Sequence, residues 1–575
     1  MRIFRLLWSS SLSASLVLGE LRDNDFLFHI LLQGLITQQS VIWDGQEANG
    51  PDFLTDPAAQ GFVDHLSMRA MALEYITHEL CSVSQGQMPA LKRRIFDALG
   101  GQIVIEGGES IPVPSVFEFH DSLPQEDIFA APPPQFRSFG ELDLRACLED
   151  DDDFNQIYNL SKVQELLLLK RSENSKSSQI ILPQDVASMD TEEETMLLLK
   201  ILRAWTRLLM LMTECNDFKS THKISFILQT LQAILPGLEM YGSEKPGPAL
   251  ELAKLAKVVL FKLDFTVMSS VDQHSRGAES LISDKLFQLF EICLDAIAKW
   301  VASQELRATY YSLCYRYLTG LLDHGQGAQS GLRRTTQTIQ SFGEKLLNVV
   351  CDDAFGGDPR CQSAALVLLA TLVQLGRKEG DYYVVEALNK LNFIGILVDS
   401  LRDVLREWNE INRNGNPDHQ NYLNSKLVFL LQLCQTGQGA KYVLHANIFR
   451  VIEQSGLFEV DPELQVNPSD AKALEEHYLL LVKVAQIISV AIVSRGSHNI
   501  LQGRRFLADH RMLVTHVLKR SAGIGAGVGS TAPTLTNLIG DLAEAFMIMI
   551  TATGFLEFDN RALTEDTKAA PMLFH

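Results

Sequence analysis

The chain has 575 residues, more than a single hydrophobic core usually organises, so it forms either several domains or one extended array. Hydrophobic residues make up 46% and charged residues 21%, a balance that excludes a disordered chain and a protein of many membrane spans. With 50 Lys and Arg against 70 Asp and Glu, the formal net charge is -20, which repels phosphate backbones. Composition therefore disfavours direct nucleic-acid binding and favours protein partners.

The N-terminal residues imitate a secretory signal peptide. Arg2 and Arg5 precede apolar residues, but serines at 9–11 interrupt the apolar run. The eight cysteines are scattered and contain no C-x-x-C pair, which indicates buried thiols in a reducing compartment. We therefore interpret the start as a helix of the array, cut by the start of this chain, rather than as a signal peptide.

Helical segments separated by short polar or glycine-containing breaks account for most of the chain. Apolar residues recur in them at spacings of three and four, which is typical of helices packed against neighbours. An alternation of strands and helices is missing from the pattern, which disfavours a doubly wound nucleotide-binding fold. The predicted helices are 59–83, 193–214, 224–235, 250–269, 280–303, 305–322, 336–350, 362–375, 425–435, 471–494, 500–519 and 535–553.

One segment has a β pattern. QIVIEGGESIPVP at 102–114 places two short apolar stretches around a Glu-Gly-Gly-Glu turn, which predicts a hairpin. The proline-rich and acidic residues after it predict a surface connection with disorder. The expected organisation is a helical solenoid segment at 1–99, a hairpin and connecting region at 100–153, a helical solenoid at 154–408, a C-terminal tail solenoid at 409–558 and a disordered tail at 559–575.

Two segments indicate an internal repeat. ALNKLNFIGILVDSL begins at Ala387 and YVLHANIFRVIEQSG begins at Tyr442, and each follows a long apolar helix and a polar turn. The aligned pairs are Asn392 with Asn447, Phe393 with Ile448, and Ile396 with Val451. The pattern resembles armadillo and HEAT arrays, in which a short helix turns the chain and longer helices stack. The expected fold class is all-α, a right-handed α-solenoid of irregular HEAT/armadillo-like helical repeats with one small β-hairpin insertion.

The segment HYLLLVKVAQIISVAIVSRGSHN at 477–499 is the most apolar of the predicted helices. Its apolar run of about 16 residues is shorter than the roughly 20 that a bilayer requires, and it contains Lys483 and Gln486. The residues are apolar nearly all round, which indicates burial between neighbouring helices. We predict a central layer of the array and no membrane span.

Motifs that carry chemistry are weak in this sequence. SAGIGAGVGSTAPT at 521–534 follows a basic helix instead of a strand and lacks phosphate-loop spacing. The acids at 150–153 lack the spacing of a calcium loop, and the histidines form no H-E-x-x-H pair. No G-x-S-x-G nucleophile elbow is present, so we expect no cofactor, no metal and no enzymatic activity. An enzyme would need an acid-base cluster assembled from distant residues.

Basic clusters are short, at 92–94 and at Arg504 and Arg505. On an acidic protein such clusters are usually solvated, with docking of an acidic peptide as the alternative. Grooves between stacked helices can receive the apolar side chains of an amphipathic helix. Binding of protein segments is therefore the activity that this architecture favours.

Several long segments carry a family resemblance. HYLLLVKVAQIISVAIVSRGSHN, QGRRFLADHRMLVTHVLKRSAG and LIGDLAEAFMIMITATGFLEF resemble the C-terminal tail of the large α-solenoid nucleoporins of the nuclear pore's inner ring. LRDNDFLFHILLQGLITQQSVIWDG and ELCSVSQGQMPALKRRIFDALGGQIVIEGG resemble the same family. The likeness is to the C-terminal part of the larger fungal member, and the smaller paralogue is the second choice. Because family members begin far upstream, the resemblance implies a fragment or a shortened gene model.

The resemblance implies a structural constituent of the nuclear pore complex at the nuclear envelope, without enzymatic activity. In that family the tail holds a short helical motif of the inner-ring adaptor nucleoporin that carries coiled coils, and linker nucleoporins bind elsewhere on the solenoid. The alternative function is a soluble karyopherin-like transport receptor that binds cargo signals. Irregular repeats disfavour that alternative.

Candidate partner-binding residues lie in the last predicted helix. We expect the segment 535–558 to end the stack and so to have one face without a neighbour. Phe546, Ile550, Phe555 and Phe558 are the candidate anchors for a partner helix. For Phe546 and Ile550, inward packing on the preceding helix is the alternative.

Overall fold

A computed structural model describes most of the chain from residue 73 onward. The described residues are 73–84, 89–100, 102–104, 110–112, 115–119, 148–150, 156–158, 184–215, 220–242, 245–263, 276–299, 303–323, 329–459, 462–465, 471–523 and 533–558, with residues 70, 162 and 265. The first part of the predicted helix 59–83, before residue 70, and the predicted disordered tail at 559–575 lie outside them, whereas residues 73–83 are helical as predicted. The chain divides into unit 1, Met1–Tyr241 with Gly247–Leu263, and unit 2, Gly242–Pro246 with Asp264–His575. The five predicted segments and their boundaries stay predictions.

Unit 1 contains helices and two short hairpins. Its elements are helical residues at 73–84, α1 Pro89–Leu99, β1 Gln102–Val104, β2 Ser110–Pro112, a 3-10 turn at Val116–Phe119, β3 Leu148–Asp150, β4 Gln156–Tyr158, α2 Gln184–Glu214, α3 Ser220–Tyr241 and α4 Pro246–Lys262. Strand β1 pairs antiparallel with β2, with Ile103 opposite Ile111, which confirms the predicted hairpin.

A second hairpin lies where the sequence predicts only a connection. Strand β3 pairs antiparallel with β4, and Glu149 stands opposite Ile157. The expectation of a single hairpin insertion was therefore incomplete. Both strands have only three residues, and Glu149 and Asp150 give β3 a low β-propensity, so the pairing leaves no clear sequence signal.

Trp205 of α2 organises the described core of unit 1. Its side chain is fully buried, and its indole N–H donates a hydrogen bond of 2.9 Å to the Val116 carbonyl oxygen. The next residue, Phe117, contacts Phe226 of α3 edge to face, with ring centroids 5.4 Å apart. The turn after the first hairpin is thereby fixed on helices α2 and α3, because a buried Trp N–H requires an acceptor.

Unit 2 is helical throughout its described residues. Its helices are α5 Arg276–Ala298, α6 Gln304–Asp323, α7 Gln329–Gly356, α8 Pro359–Glu379, α9 Tyr383–Lys390, α10 Phe393–Asp399, α11 Val404–Asn414, α12 Pro417–Cys434, α13 Gly437–His445, α14 Ile448–Ser455, α15 Pro462–Gln465, α16 Ala471–Arg495, α17 Ile500–Asp509, α18 Arg511–Ser521 and α19 Pro533–Thr553. The turns Ser400–Asp403 and Gly496–Asn499 are 3-10 helices, and α7 is broken at Gly343.

The long helices of unit 2 pack in series. Helix α6 packs on α8, α8 on α12, α12 on α16, and α16 on α19, while the shorter helices fill the turns between them. Each layer buries its apolar residues against the previous and the next layer, which is the packing of a helical repeat array. The all-α solenoid prediction is confirmed.

The internal repeat is confirmed in backbone conformation. Asn392 and Asn447 are the two non-glycine residues with positive φ among the described residues, at 55° and 59°. Each precedes a short helix, and its carbonyl oxygen accepts a 3.1 Å hydrogen bond from the amide of Ile396 or Val451. The aligned pairs differ in one respect, because Ile396 is 40% exposed whereas Val451 is buried.

Helix α16 contains the apolar segment that the sequence places in a central layer. It packs on α12, α13 and α19, and Ile487, Ile488 and Ala491 are buried. By length and composition alone, Lys472–Arg495 and Thr534–Thr553 could cross a membrane, but 67% and 44% of their most apolar stretches are buried inside the protein. Packing within the array accounts for the apolar character of α16.

A buried polar network joins three layers of unit 2. The Arg307 guanidinium of α6 donates hydrogen bonds of 2.6 and 2.7 Å to both carboxylate oxygens of Asp353 in α7. The Tyr311 hydroxyl donates a third hydrogen bond of 2.6 Å to Asp353. Both charged side chains are nearly inaccessible to solvent, and Cys361 of α8 lies beside them. The network satisfies the buried charges and fixes the register of the helices.

Candidate protein-binding surface at the C-terminal end

An aromatic cluster forms part of the core at the C-terminal end of unit 2. Phe458, Phe506 and Phe546 are fully buried, and the ring centroids of Phe458 lie 5.4 Å from Phe506 and 6.4 Å from Phe546. Phe449 and His510 extend the cluster, with ring centroids 5.9 and 4.7 Å from Phe506. Aromatic pairs at these separations stabilise a fold by more than the burial of their apolar area alone contributes. The cluster therefore holds helices α14, α17 and α19 together.

Helix α19 does not stand as an uncovered last layer. It packs on α16 and is also contacted by α17 and α18, which precede it in the chain. The contacts of α17 and α18 with α19 were not expected from the sequence. Only a stripe of α19 stays exposed, and it includes Asp541, Glu544, Met547 and Ile548.

The C-terminal end of α19 is fixed on α17 by a close approach. A side chain at Gly503 would place its Cβ atom 2.8 Å from Thr553 Cγ2 and 3.1 Å from Ile492 Cδ1. The neighbouring Arg504 Nε donates a hydrogen bond of 2.8 Å to the Thr553 carbonyl oxygen. Gly554 follows with φ of 61°, a conformation that terminates helices and favours glycine. The chain therefore changes direction at Gly554, before residues 555–558.

Exposed apolar side chains lie on α19 before this turn and on the residues after it. Leu556 is 62% exposed and Phe558 is 43% exposed, and the Arg504 guanidinium lies over the Phe558 ring, 5.0 Å from its centroid. Met547 and Ile548 are exposed on α19. We name Met547, Ile548, Leu556 and Phe558 the C-terminal apolar surface. The cation–π contact holds the Phe558 ring in place while its outer part faces solvent.

The four anchors that the sequence offers lie in different environments. Phe546 is fully buried, and Ile550 and Phe555 are each 7% exposed. Phe558 is the exposed member of the four. The inward packing that the sequence left open for Phe546 and Ile550 is the arrangement in the structure, because α19 is covered by α16, α17 and α18. A role of these residues in partner binding stays a prediction.

The sequence missed Met547, Ile548 and Leu556 as members of the exposed set. A signal for the first two was present, because helical spacing places residues 547 and 548 away from the face of Phe546 and Ile550. Which of the two faces is buried depends on α17 and α18, and the pattern of α19 alone does not say.

Catalytic or metal-binding groups do not come together in the described part of the chain. The described residues include no cluster of three or more His, Cys, Asp or Glu side chains placed to hold a metal ion. The described cysteines are free thiols, and burial raises the pKa of Cys351 to about 12 and that of Cys434 further. Thiols with raised pKa values are poor nucleophiles. Most of the glycine-rich segment at 521–534, and the acids at 151–153, lie outside the described residues.

Comparison with known proteins identifies the family. The family described as "Nuclear pore complex scaffold, nucleoporins 186/192/205" matches residues 1–553. Nucleoporin NUP192 of Chaetomium thermophilum is 43% identical over 660 aligned residues, which cover 100% of this chain and 38% of that protein. Nuclear pore complex protein Nup205 of Homo sapiens is 23% identical over 225 residues, covering 37% of this chain and 11% of that protein.

The match extends over nearly the whole chain, whereas the chain spans well under half the length of the curated relatives it matches. The resemblance to the class of the larger inner-ring nucleoporins, noted on the sequence segments, is confirmed. Members of the family are scaffold components of the nuclear pore complex at the nuclear envelope. The chain belongs to the family of nuclear pore complex scaffold nucleoporins 186/192/205.

Proposed function

We propose that this chain is a structural constituent of the nuclear pore complex inner ring and supports nucleocytoplasmic transport by holding other nucleoporins in place. Its family membership and its serial packing of helices support this role. In this proposal the chain has no enzymatic activity, and it acts by binding short helical motifs.

The C-terminal apolar surface is the proposed site for the inner-ring adaptor nucleoporin that carries coiled coils. Met547 and Ile548 present apolar side chains from α19, and Leu556 and Phe558 add two more beyond its end. An amphipathic helix uses anchors spaced by three and four residues, which such a set of exposed side chains can receive. Phe558 is the proposed direct anchor. Phe546, Ile550 and Phe555 are buried and would act by holding the end of α19 in place.

Linker nucleoporins are the second proposed class of partner, and they bind away from the C-terminal apolar surface. Stacked helical layers offer grooves along their length, and each groove can receive a short motif. A soluble karyopherin-like receptor for cargo signals is the alternative function. The match to a scaffold family supports the inner-ring role over that alternative.

The test is recovery of partners from a nuclear extract by the purified 575-residue chain. The variant combines Leu556→Ala with Phe558→Ala, and the matched control combines Leu281→Ala with Phe355→Ala, whose side chains are 52% and 46% exposed. Deleting α19 is unsuitable because it would remove Phe546 from the aromatic cluster. Circular dichroism and the melting temperature verify that both variants stay folded.

The expected result is selective loss of the coiled-coil adaptor from the Leu556/Phe558 variant, with linker nucleoporins retained. Truncating central aromatic anchors of an interface commonly weakens binding by about 2 kcal/mol or more. Equal recovery of the adaptor by variant and control would remove this surface from the proposal. Recovery of a small GTPase and basic cargo in place of nucleoporins would favour the transport receptor.

A further inference from the structure

Helices α17 and α18 present an exposed stripe that combines basic and apolar side chains. Leu501 is 76% exposed and Met512 is 86% exposed, unusually high values for large apolar residues. Arg505 and Lys519 are exposed on the same two helices. The exposed positions of α17 include 501, 505 and 508, and those of α18 include 512, 515 and 519, so that within each helix the positions are spaced by three and four residues. We name this set the basic stripe.

The basic stripe faces away from the core of unit 2. The opposite sides of α17 and α18 are buried through Phe506, Leu507, Val514 and Val517, and both helices pack on α19. Residues spaced by three and four along a helix share one side of it, so the positions of each helix form one exposed face. The side chains of Leu501 and Met512 are therefore not needed to cover the core.

The charge of this segment is opposite to that of the chain. Residues 495–520 contain six Lys and Arg and one Asp, whereas the whole chain has a formal net charge of -20. Two of the six cations are engaged inward, because Arg504 binds the Thr553 carbonyl oxygen and Arg520 binds Glu463 at 2.5 Å. Arg505 lies 3.4 Å from the exposed Asp509, a weak ion pair in water. The stripe is thus a local cationic surface on an acidic protein.

We propose that the basic stripe is a docking surface for an acidic amphipathic helix of a protein partner. Leu501 and Met512 would receive the apolar anchors of that helix, and Arg505 and Lys519 would face its carboxylates. Within each of the two helices, residues spaced by three and four lie on one side, which is the side that a partner helix can pack against. Charge complementarity would select an acidic segment and raise its association rate.

Two other classes of ligand fit the stripe less well. Nucleic-acid surfaces use Lys and Arg with stacking aromatic side chains, whereas the apolar members here are Leu and Met on an acidic chain. Helices that lie on anionic membranes carry Trp, Phe or Leu along a continuous apolar face opposite the basic one. Here the apolar residues alternate with charged residues on one face, and the opposite face is buried in the protein.

This docking surface is separate from the C-terminal apolar surface. Neither of its anchors belongs to the set Met547, Ile548, Leu556 and Phe558, and its basic side chains are not those that hold Phe558. The two surfaces can be tested by different variants. Loss of adaptor binding at Phe558 would leave the basic stripe intact, and the reverse also holds.

The experiment measures binding of a fluorescein-labelled synthetic acidic helix to the full 575-residue chain by anisotropy. The probe carries Leu at positions spaced by three and four residues and Glu elsewhere on the same face. A scrambled peptide of the same composition is the control ligand. The variants are Arg505→Glu with Lys519→Glu, and Leu501→Asp with Met512→Asp. Matched controls are Arg333→Glu with Lys345→Glu, and Leu281→Asp, all at exposed positions elsewhere in unit 2.

The expected result is binding of the amphipathic probe that each stripe variant weakens by about tenfold or more and that added salt weakens as well. The control variants and Phe558→Ala retain the wild-type affinity. Absence of probe binding, or equal binding of the scrambled peptide, would overturn the proposal. Binding of phosphatidylserine vesicles that is lost in the stripe variants would also overturn it, in favour of a membrane surface.

Discussion

Phe546 and Phe558 show how much the environment of one residue depends on its neighbours in space. Both are aromatic residues at the end of the chain, yet Phe546 completes an aromatic cluster and Phe558 is 43% exposed under the guanidinium of Arg504. An Ala substitution at Phe546 removes core packing, whereas at Phe558 it removes exposed surface. The two substitutions therefore report on folding and on binding respectively.

His510 joins α17 to α18 and lies between two aromatic rings. Its ring lies 4.7 Å from Phe506 and 5.7 Å from Phe458, measured between centroids. Burial lowers the pKa of His510 below its ordinary value, against the opposing effects of a backbone hydrogen bond and of Asp509, Glu453 and Glu459. The folded chain therefore holds this histidine neutral at a pH where the unfolded chain is protonated.

The sign of the pH dependence follows from that difference. In the unfolded chain the histidine takes up a proton near its ordinary pKa of about 6.5. In the folded chain it takes up the proton only at a lower pH. The contribution of the neutral His510 to the free energy of unfolding is therefore fully present above about pH 6.5. That contribution is lost as the pH falls through the lowered pKa of the folded state.

We expect the free energy of unfolding of the wild-type chain to fall as the pH is lowered from about 7.5 to about 5. In His510→Gln this fall should be smaller, because glutamine does not titrate in this range. Urea unfolding at several pH values measures this. His419→Gln, at an exposed position on α12, is the matched control for the substitution itself. Parallel curves of unfolding free energy for the wild-type chain and His510→Gln would contradict the prediction.

At the scale of elements, the sequence predicted the repeat units better than their packing. The pairing of Asn392 with Asn447 was found from the sequence, because each Asn precedes a short apolar segment that follows a long apolar helix and a polar turn, and both take the left-handed conformation in the structure. The second hairpin, β3 with β4, was missed because both strands have only three residues and β3 contains Glu149 and Asp150. The covering of α19 by α17 and α18 was also missed, since it depends on contacts between helices that periodicity does not record.

Two glycines inside helices distinguish the effect of helix propensity from the effect of packing against neighbouring helices. Gly503 of α17 and Gly540 of α19 both stand inside helices, where Ala is normally preferred by about 0.8–1.0 kcal/mol. A Cβ atom at Gly540 meets open space, whereas at Gly503 it would lie 2.8 Å from Thr553 Cγ2. The two positions should therefore respond in opposite directions to the same substitution.

We expect Gly540→Ala to raise the free energy of unfolding by roughly 0.5–1 kcal/mol through its helix propensity. Gly503→Ala is expected to lower it by roughly 1–3 kcal/mol, since the added methyl group overpacks the contact of α17 with α19. Urea unfolding of the two variants and the wild-type chain gives both values. A stabilising Gly503→Ala would show that the helices separate easily and that this approach does not fix the C-terminal end.

At the scale of the whole molecule, serial packing limits how far along the array a substitution destabilises the helices. In unit 2 the network of Arg307, Tyr311 and Asp353 lies in α6 and α7, several layers from α19 along the chain of contacts. In arrays of this kind each layer interacts with its neighbours, so stability is close to a sum of layer and interface contributions. Local unfolding near the network should thus be separable from the C-terminal end.

We expect Asp353→Asn to cost about 3–5 kcal/mol locally, because it leaves the buried Arg307 guanidinium without a counter-charge. The measurement is amide hydrogen exchange of the full chain, with faster exchange expected in α6, α7 and α8 and unchanged exchange in α16 and α19. Asp284→Asn, which removes an exposed pair with Arg334 at 3.5 Å, is the matched control and should cost about 0–1 kcal/mol. Faster exchange in α16 and α19 as well would mean that unit 2 unfolds as one cooperative body. The proposed adaptor site would then depend on the buried network as well as on its own residues.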